Sequence, residues 1–130
     1  MAGRRRVQVR RIYDDPRVSD GTRVLVDRLW PRGVSKVRAQ LAEWCKDIAP
    51  SRELREWYHH DPALFREFMN RYCVELRHPV PAAAFAHLRE LAARHTLTLL
   101  TATKDPDISE AAVLCHLLTD AEPGSCTTKE

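Results

Sequence analysis

The chain has 130 residues, 44% hydrophobic and 30% charged, with a net charge of +3. That length carries one hydrophobic core, and that composition excludes a disordered or fibrous chain. No run approaches the roughly 18 apolar residues that a membrane-spanning helix requires.

The basic start, Met1-Ala2-Gly3-Arg4-Arg5-Arg6, leads into Val7-Gln8-Val9 instead of an apolar signal segment. A cytoplasmic location without a membrane partner is therefore expected. Cys45, Cys73, Cys115 and Cys126 show no C-x-x-C spacing, so they read as small hydrophobes, with neither a disulfide nor a thiolate metal site expected. The basic residues are 17 arginines against 4 lysines. That bias suits planar recognition of carboxylate or phosphate, although a GC-rich genome produces it equally.

Residues 7–12 read as a short strand whose charges suit a sheet edge. Asp14-Asp15-Pro16 and Asp20-Gly21 are turn chemistry. Arg23-Val24-Leu25-Val26-Asp27-Arg28-Leu29 is a nearly continuous apolar run without alternation, as expected for a strand buried on both faces inside a parallel sheet. Pro31–Lys36 must be a loop, followed by a short helix or irregular arm carrying Leu41, Trp44 and Ile48.

Ser51 is placed as the N-cap of a helix that turns Leu54, Trp57 and Tyr58 inward. Asp61-Pro62 opens the next helix, with apolar positions Leu64, Phe65, Phe68, Met69, Tyr72 and Leu76 at helical spacing. Its polar face carries Glu67, Arg71 and Glu75, an i,i+4 ladder. Pro79 and Pro81 start a third helix with the stripe Phe85, Leu88 and Leu91. Thr96–Ala102 is a second buried strand, and a last helix follows with Asp107 and Glu110 at capping-box spacing.

Strand, helices, strand, helix predicts an α/β fold: a small three-layer domain with a mostly parallel sheet of three or four strands covered by helices. Any fourth strand is expected within 1–20. Residues 1–6 form a basic arm, 7–119 the single domain and 120–130 a flexible tail.

In open parallel sheets, ligands bind beyond the carboxyl ends of the strands. Two segments meet that condition: Asp27 to Gly33 with Lys36 beyond, and Thr103-Lys104-Asp105. Together they offer Arg28, Arg32, Lys36 and Lys104 as cations, Asp27 and Asp105 as carboxylates, and Gly33 where backbone can approach a ligand. The alternative is that Asp27 and Arg28 pair with strand-end partners while Asp105 only caps the last helix.

His59-His60-Asp61 is a second polar cluster. Adjacent histidines point in different directions and no third ligand is in register, so no metal is expected; Asp61 reads as an N-cap. No catalytic triad, P-loop or dinucleotide fingerprint is present, and no cofactor is specified.

Val24 to Gly33 followed by Lys36, Ala49-Pro50-Ser51 with Trp57-Tyr58 and His60-Asp61-Pro62, and Phe65, Phe68, Arg71-Tyr72 and Glu75-Leu76 together resemble the YeaO-like bacterial family of unknown function. The resemblance covers residues 7 to 118 and implies a small bacterial cytosolic α/β protein without an assigned reaction. It marks Asp27, Arg28, Arg32, Lys36, His60, Asp61, Arg71, Lys104 and Asp105 as candidate site positions. The chain departs from the family pattern at Thr101 and over 105–111, where relatives carry an aromatic residue and a polar His/Asn-type motif.

Three functions fit these residues. One is an enzyme or binding domain for an anionic, phosphate-bearing metabolite or nucleotide, with Asp27, His60 or Asp105 as catalytic candidates. Arg28, Arg32, Gly33, Lys36, Arg71 and Lys104 would then bind the ligand. The second is a nucleic-acid partner using Arg4, Arg5, Arg6, Arg10 and Arg11. The third is a structural or interaction protein, such as a homodimer, whose motif charges hold the fold.

Overall fold

Residues 97–101, Leu-Thr-Leu-Leu-Thr, are buried along their whole length, and the sheet is built around them. The computed structural model describes residues 6–119. Arg4 and Arg5 of the basic arm, and residues 120–130 with Cys126, lie outside the described residues. Four strands, Val7–Arg11 (β1), Thr22–Leu25 (β2), Glu43–Trp44 (β3) and Leu97–Thr101 (β4), pair in the order β1-β4-β2-β3. All three pairings are parallel, as the chain order of strands and helices implies. β1 is an edge strand, as its charges suggested. The fourth strand is Glu43–Trp44 and not a segment of 1–20, because the arm after Gln40 returns to pair with β2.

Side chains alternate across the sheet. Val24, Val26, Leu97 and Leu99 enter one core with Leu54, Phe68, Tyr72, Leu88 and Leu114. The helices Arg52–Tyr58 (α2), Phe65–Glu75 (α3), Pro79–Arg94 (α4) and Glu110–Thr119 (α5) contribute to that layer. Leu25 and Leu100 point the other way, into a smaller core with Ile12, Val34 and Ala39. The short helix Lys36–Ala39 (α1) covers that side. The result is the α/β class expected from the sequence.

Helix starts follow local chemistry. Ser51 accepts from Leu54 N and caps α2. Asp61 accepts from Ala63 N, with Pro62 at the first position of the 3-10 turn that leads into α3. The expected ladder on α3 is only half formed: Arg71 pairs with Glu67 at 3.0 Å, whereas Glu75 accepts from Ser51 N at 2.8 Å and from its hydroxyl. The backbone N–H and hydroxyl at the start of α2 outcompete an exposed arginine because both are held in place.

One ion pair lies buried inside the described fold. Asp20 and Arg23 are both nearly inaccessible and pair at 2.5 Å, with Arg10 on the second side of the carboxylate at 3.0 Å. Arg23 also donates twice to Ala39 O. Gly21, between them, has φ +64°, and a Cβ there would collide with Thr96 O; only glycine fits this approach.

The second strand is shorter than its apolar run. β2 ends at Leu25, with Val26 N still donating to Leu100 O at 3.1 Å, and 27–29 is a bend. The Asp27 carboxylate takes over the end of β4, accepting from Ala102 N at 2.7 Å. Arg28 and Leu29 therefore turn outward instead of continuing the strand, and Leu29 is 71% exposed.

Candidate functional site

The bend after β2 sits at the carboxyl edge of the sheet, where the parallel topology favours a ligand site. A cavity of about 510 Å³ opens there. One wall is Asp27 to Arg32, a second is Ala102-Thr103 after β4, and a third is Arg55 to His60 at the end of α2. Ser109 and Glu110, at the start of α5, close it, with Phe68 beneath.

The 27–34 loop is held from both sides. Trp44 Nε1 donates to Asp27 O at 2.8 Å, Trp30 Nε1 to Val34 O at 2.7 Å, and the Tyr13 hydroxyl to Arg32 O at 3.0 Å. Trp30 and Trp44 meet edge to face, 5.4 Å between centroids. Gly33 adopts φ +80° with nothing within 4 Å of a built Cβ. Its positive φ makes glycine the residue the turn requires. With the backbone fixed, the side chains of Arg28 and Arg32 stand exposed on the cavity rim. Neither guanidinium belongs to an ion pair among the described residues.

Deeper in the cavity the sign of the charge reverses. Asp27 is half-buried and accepts from the Thr101 hydroxyl at 2.8 Å and from Ala102 N. Thr103 Oγ1 lies 3.0 Å from Thr101 Oγ1, which extends the chain of hydroxyls. Glu110 faces the same carboxylate. Burial, and a hydrogen bond with Asp27 reinforced by its negative charge, raise the Glu110 carboxyl well above the ordinary glutamate range, against the opposing pull of Arg55. Two carboxyl groups this close disfavour the ionised form of the more buried one, which is the direction seen at Glu110.

The α2 wall is strained. His59 and His60 are consecutive and both left-handed, at φ +49° and +55°, a conformation that costs a non-glycine residue about 1–2 kcal/mol. The helix end and Asp61 N, bonded to Tyr58 O at 3.0 Å, hold them there. Such strain persists where the surroundings over-determine it, and it clusters at functional sites. Tyr58 stacks on Phe68 at 4.1 Å and donates to Ile108 O at 2.7 Å. Burial and then the carboxylates of Asp105, Asp61 and Glu110 push its phenol up to about 12, so it remains a neutral donor.

Of the residues singled out from the sequence, Asp27, Arg28, Arg32 and His60 line the cavity; Gly33, Lys36, Arg71, Lys104 and Asp105 do not. Lys36 is the exposed first residue of α1. Arg71 is committed to Glu67 and lies 4.1 Å over the Trp57 ring. Lys104 and Asp105 are exposed, and Asp105 makes no side-chain cap bond to the 3-10 turn that follows it.

The anticipated capping box of Asp107 and Glu110 is replaced by Ser109, whose hydroxyl accepts from Ala112 N at 3.3 Å and donates to Pro106 O at 2.6 Å. Glu110 is thereby released toward the cavity. Sequence reasoning missed Glu110, Arg55 and Tyr58. The strand-edge rule could have found Glu110, since it opens the helix after β4. No group of three His, Cys, Asp or Glu side chains is placed to hold a metal among the described residues. No helix among them is long and apolar enough to cross a membrane.

Residues 6–125 match a protein-family model described as the "Inactive DUF488-N3 subclade". An uncharacterized protein of Mycobacterium tuberculosis (strain ATCC 25618 / H37Rv) is 52% identical over 113 residues, covering 87% of this chain and 93% of the relative. The uncharacterized protein YeaO of Escherichia coli (strain K12) is 39% identical over 112 residues, covering 86% and 96%. No solved structure matches. With the family model spanning residues 6–125 and YeaO aligned over 86% of the chain, the protein belongs to the inactive DUF488-N3 subclade and to the YeaO-like family.

Proposed function

We propose that the protein binds an anionic, phosphate-bearing small molecule at the carboxyl edge of its sheet. The observation that carries this reading is the pair Arg28 and Arg32: two guanidiniums on a braced loop, both on the cavity rim and neither in an ion pair among the described residues. An arginine held on fixed backbone without a protein partner presents its donor fork to a ligand, and that fork matches phosphate oxygens. The cavity volume falls in the range of small-molecule sites. The word "inactive" in the family description favours binding without turnover over catalysis by Asp27 or His60.

Calorimetric titration with inorganic phosphate, sugar phosphates and nucleotides tests this. Binding should be measurable in the wild type and weaken at least tenfold in an Arg28→Ala/Arg32→Ala double variant that melts at the wild-type temperature. Failure of every anion to bind, or equal binding by the double variant, would sink the proposal.

A further inference from the structure

The cavity has two unlike ends, and an anion alone fills only one of them. At the rim stand the exposed guanidiniums of Arg28 and Arg32. Behind them, half-buried where β2 ends and α5 begins, the Asp27 and Glu110 carboxyl groups lie side by side on the cavity wall. We infer that the ligand is a sugar phosphate, free or as part of a nucleotide, whose phosphate meets Arg28 and Arg32 while its sugar hydroxyls meet the Asp27–Glu110 pair. This inference rests on the anion-binding reading above.

Asp27 receives Thr101 Oγ1 on one oxygen and Ala102 N on the other. Each carboxylate oxygen has two lone pairs, so acceptor capacity remains on the cavity side after the protein's own bonds. The Glu110 carboxyl adds further acceptor oxygens. Two carboxyl groups side by side take hydrogen-bond donors, and a second anionic group placed there would be repelled. Sugar hydroxyls are neutral donors that also accept, and Arg55 on the adjoining wall offers a donor in return.

A dianion with negative charge at both ends fits the rim and clashes with the interior. Inorganic phosphate fits the rim and leaves the interior unfilled. A hydroxylated ligand phosphorylated at one end matches both. The cavity, at about 510 Å³, has room beyond a bare phosphate, and Tyr58 and Phe68 give it an apolar floor for the carbon face of a sugar.

The test is calorimetry of the full chain with inorganic phosphate, ribose, ribose 5-phosphate and adenosine 5′-monophosphate. At least one of the two phosphorylated sugars should bind ten times more tightly than inorganic phosphate, and ribose alone should bind weakest. Glu110→Ala should reduce the sugar-phosphate affinity to that of inorganic phosphate. Glu110→Gln, which keeps the shape and an acceptor oxygen for the sugar hydroxyls, should restore the difference.

Tighter binding of the monophosphate than of ribose 5-phosphate supports the inference and names a nucleotide; equal binding supports it and names the sugar phosphate itself. Equal affinity for inorganic phosphate and both sugar phosphates would overturn the inference and leave the anion-binding reading standing. No binding by any anion would overturn both. The wild-type ligand series decides the question even if Glu110→Ala does not fold.

Discussion

The carboxyl groups of Asp27 and Glu110 face each other on the cavity wall, where the bend after β2 meets the first turn of α5. Residues far apart in the chain thus meet at the sheet edge, inside the cavity. Asp27 also holds Thr101 and Ala102. The same carboxylate therefore shapes the end of β4 and lines the cavity.

Glu110 makes stability depend on pH in an unusual direction. Its carboxyl is raised well above the ordinary 4.5 by burial and by Asp27, with Arg55 opposing and the phenols of Tyr58 and Tyr72 nearby. The folded state then binds a proton that the unfolded chain releases, so the unfolding free energy declines as pH rises above 4.5 toward the folded value. Urea unfolding from pH 5 to 8.5 should show that decline, and Glu110→Gln should flatten it and be the more stable protein at pH 8. A variant as pH-dependent as the wild type would show that Glu110 is not the group responsible.

Asp27 and the two rim arginines should separate in a stability experiment. Asp27→Ala strands the Ala102 N–H, at a cost of about 1–3 kcal/mol, and leaves the Thr101 hydroxyl with Thr103 alone. Arg28→Ala and Arg32→Ala remove exposed, unpaired side chains and should stay within about 0.5 kcal/mol of wild type. Chemical denaturation of the three variants checks this. A large loss from either arginine would mean that it supports the fold and is not held out for a ligand.

The parallel sheet was legible because Leu97–Leu100 and Val24–Val26 are apolar on both faces, and only a covered strand tolerates that. The rim was legible too, since Arg28 and Arg32 follow such a strand. The interior of the cavity was not. Asp107 and Glu110 have the spacing of a capping box, and local spacing cannot reveal that Ser109 fills the cap and frees the glutamate. Lys104 and Asp105 follow β4 as Arg28 follows β2, yet they stay exposed and outside the cavity. Strand order places a segment at the edge, while the turn that leaves the strand decides which side chains look inward. Glu43–Trp44 escaped notice because two residues carry no periodicity.

The left-handed pair at the end of α2 gives a third prediction. His59→Gly or His60→Gly removes the Cβ from a φ of +49° or +55°. Relief of about 1 kcal/mol, partly offset by the greater freedom of glycine in the unfolded chain, should raise the melting temperature modestly. The same change at exposed Val37 within α1, where the backbone is ordinary helix, should lower stability. If the histidine variants are also destabilised, the imidazoles make contacts that outweigh the strain.

The buried Asp20 shows the opposite pH sign from Glu110. Burial alone would raise its carboxyl. The Arg17 backbone N–H and the guanidiniums of Arg23 and Arg10 override this and hold it below the ordinary 3.8. The proton is therefore bound more readily by the unfolded chain, and the stabilisation is present above 3.8 and lost as pH falls toward the folded value. Asp20→Asn should cost about 3–5 kcal/mol at neutral pH, because it leaves Arg23 buried without its counter-charge. The gap between variant and wild type should narrow below pH 3.8, where the wild-type carboxylate is itself being neutralised. Denaturation of both proteins at pH 7 and pH 3 measures the gap directly, and a gap that does not change with pH would mean that the ion pair contributes shape alone.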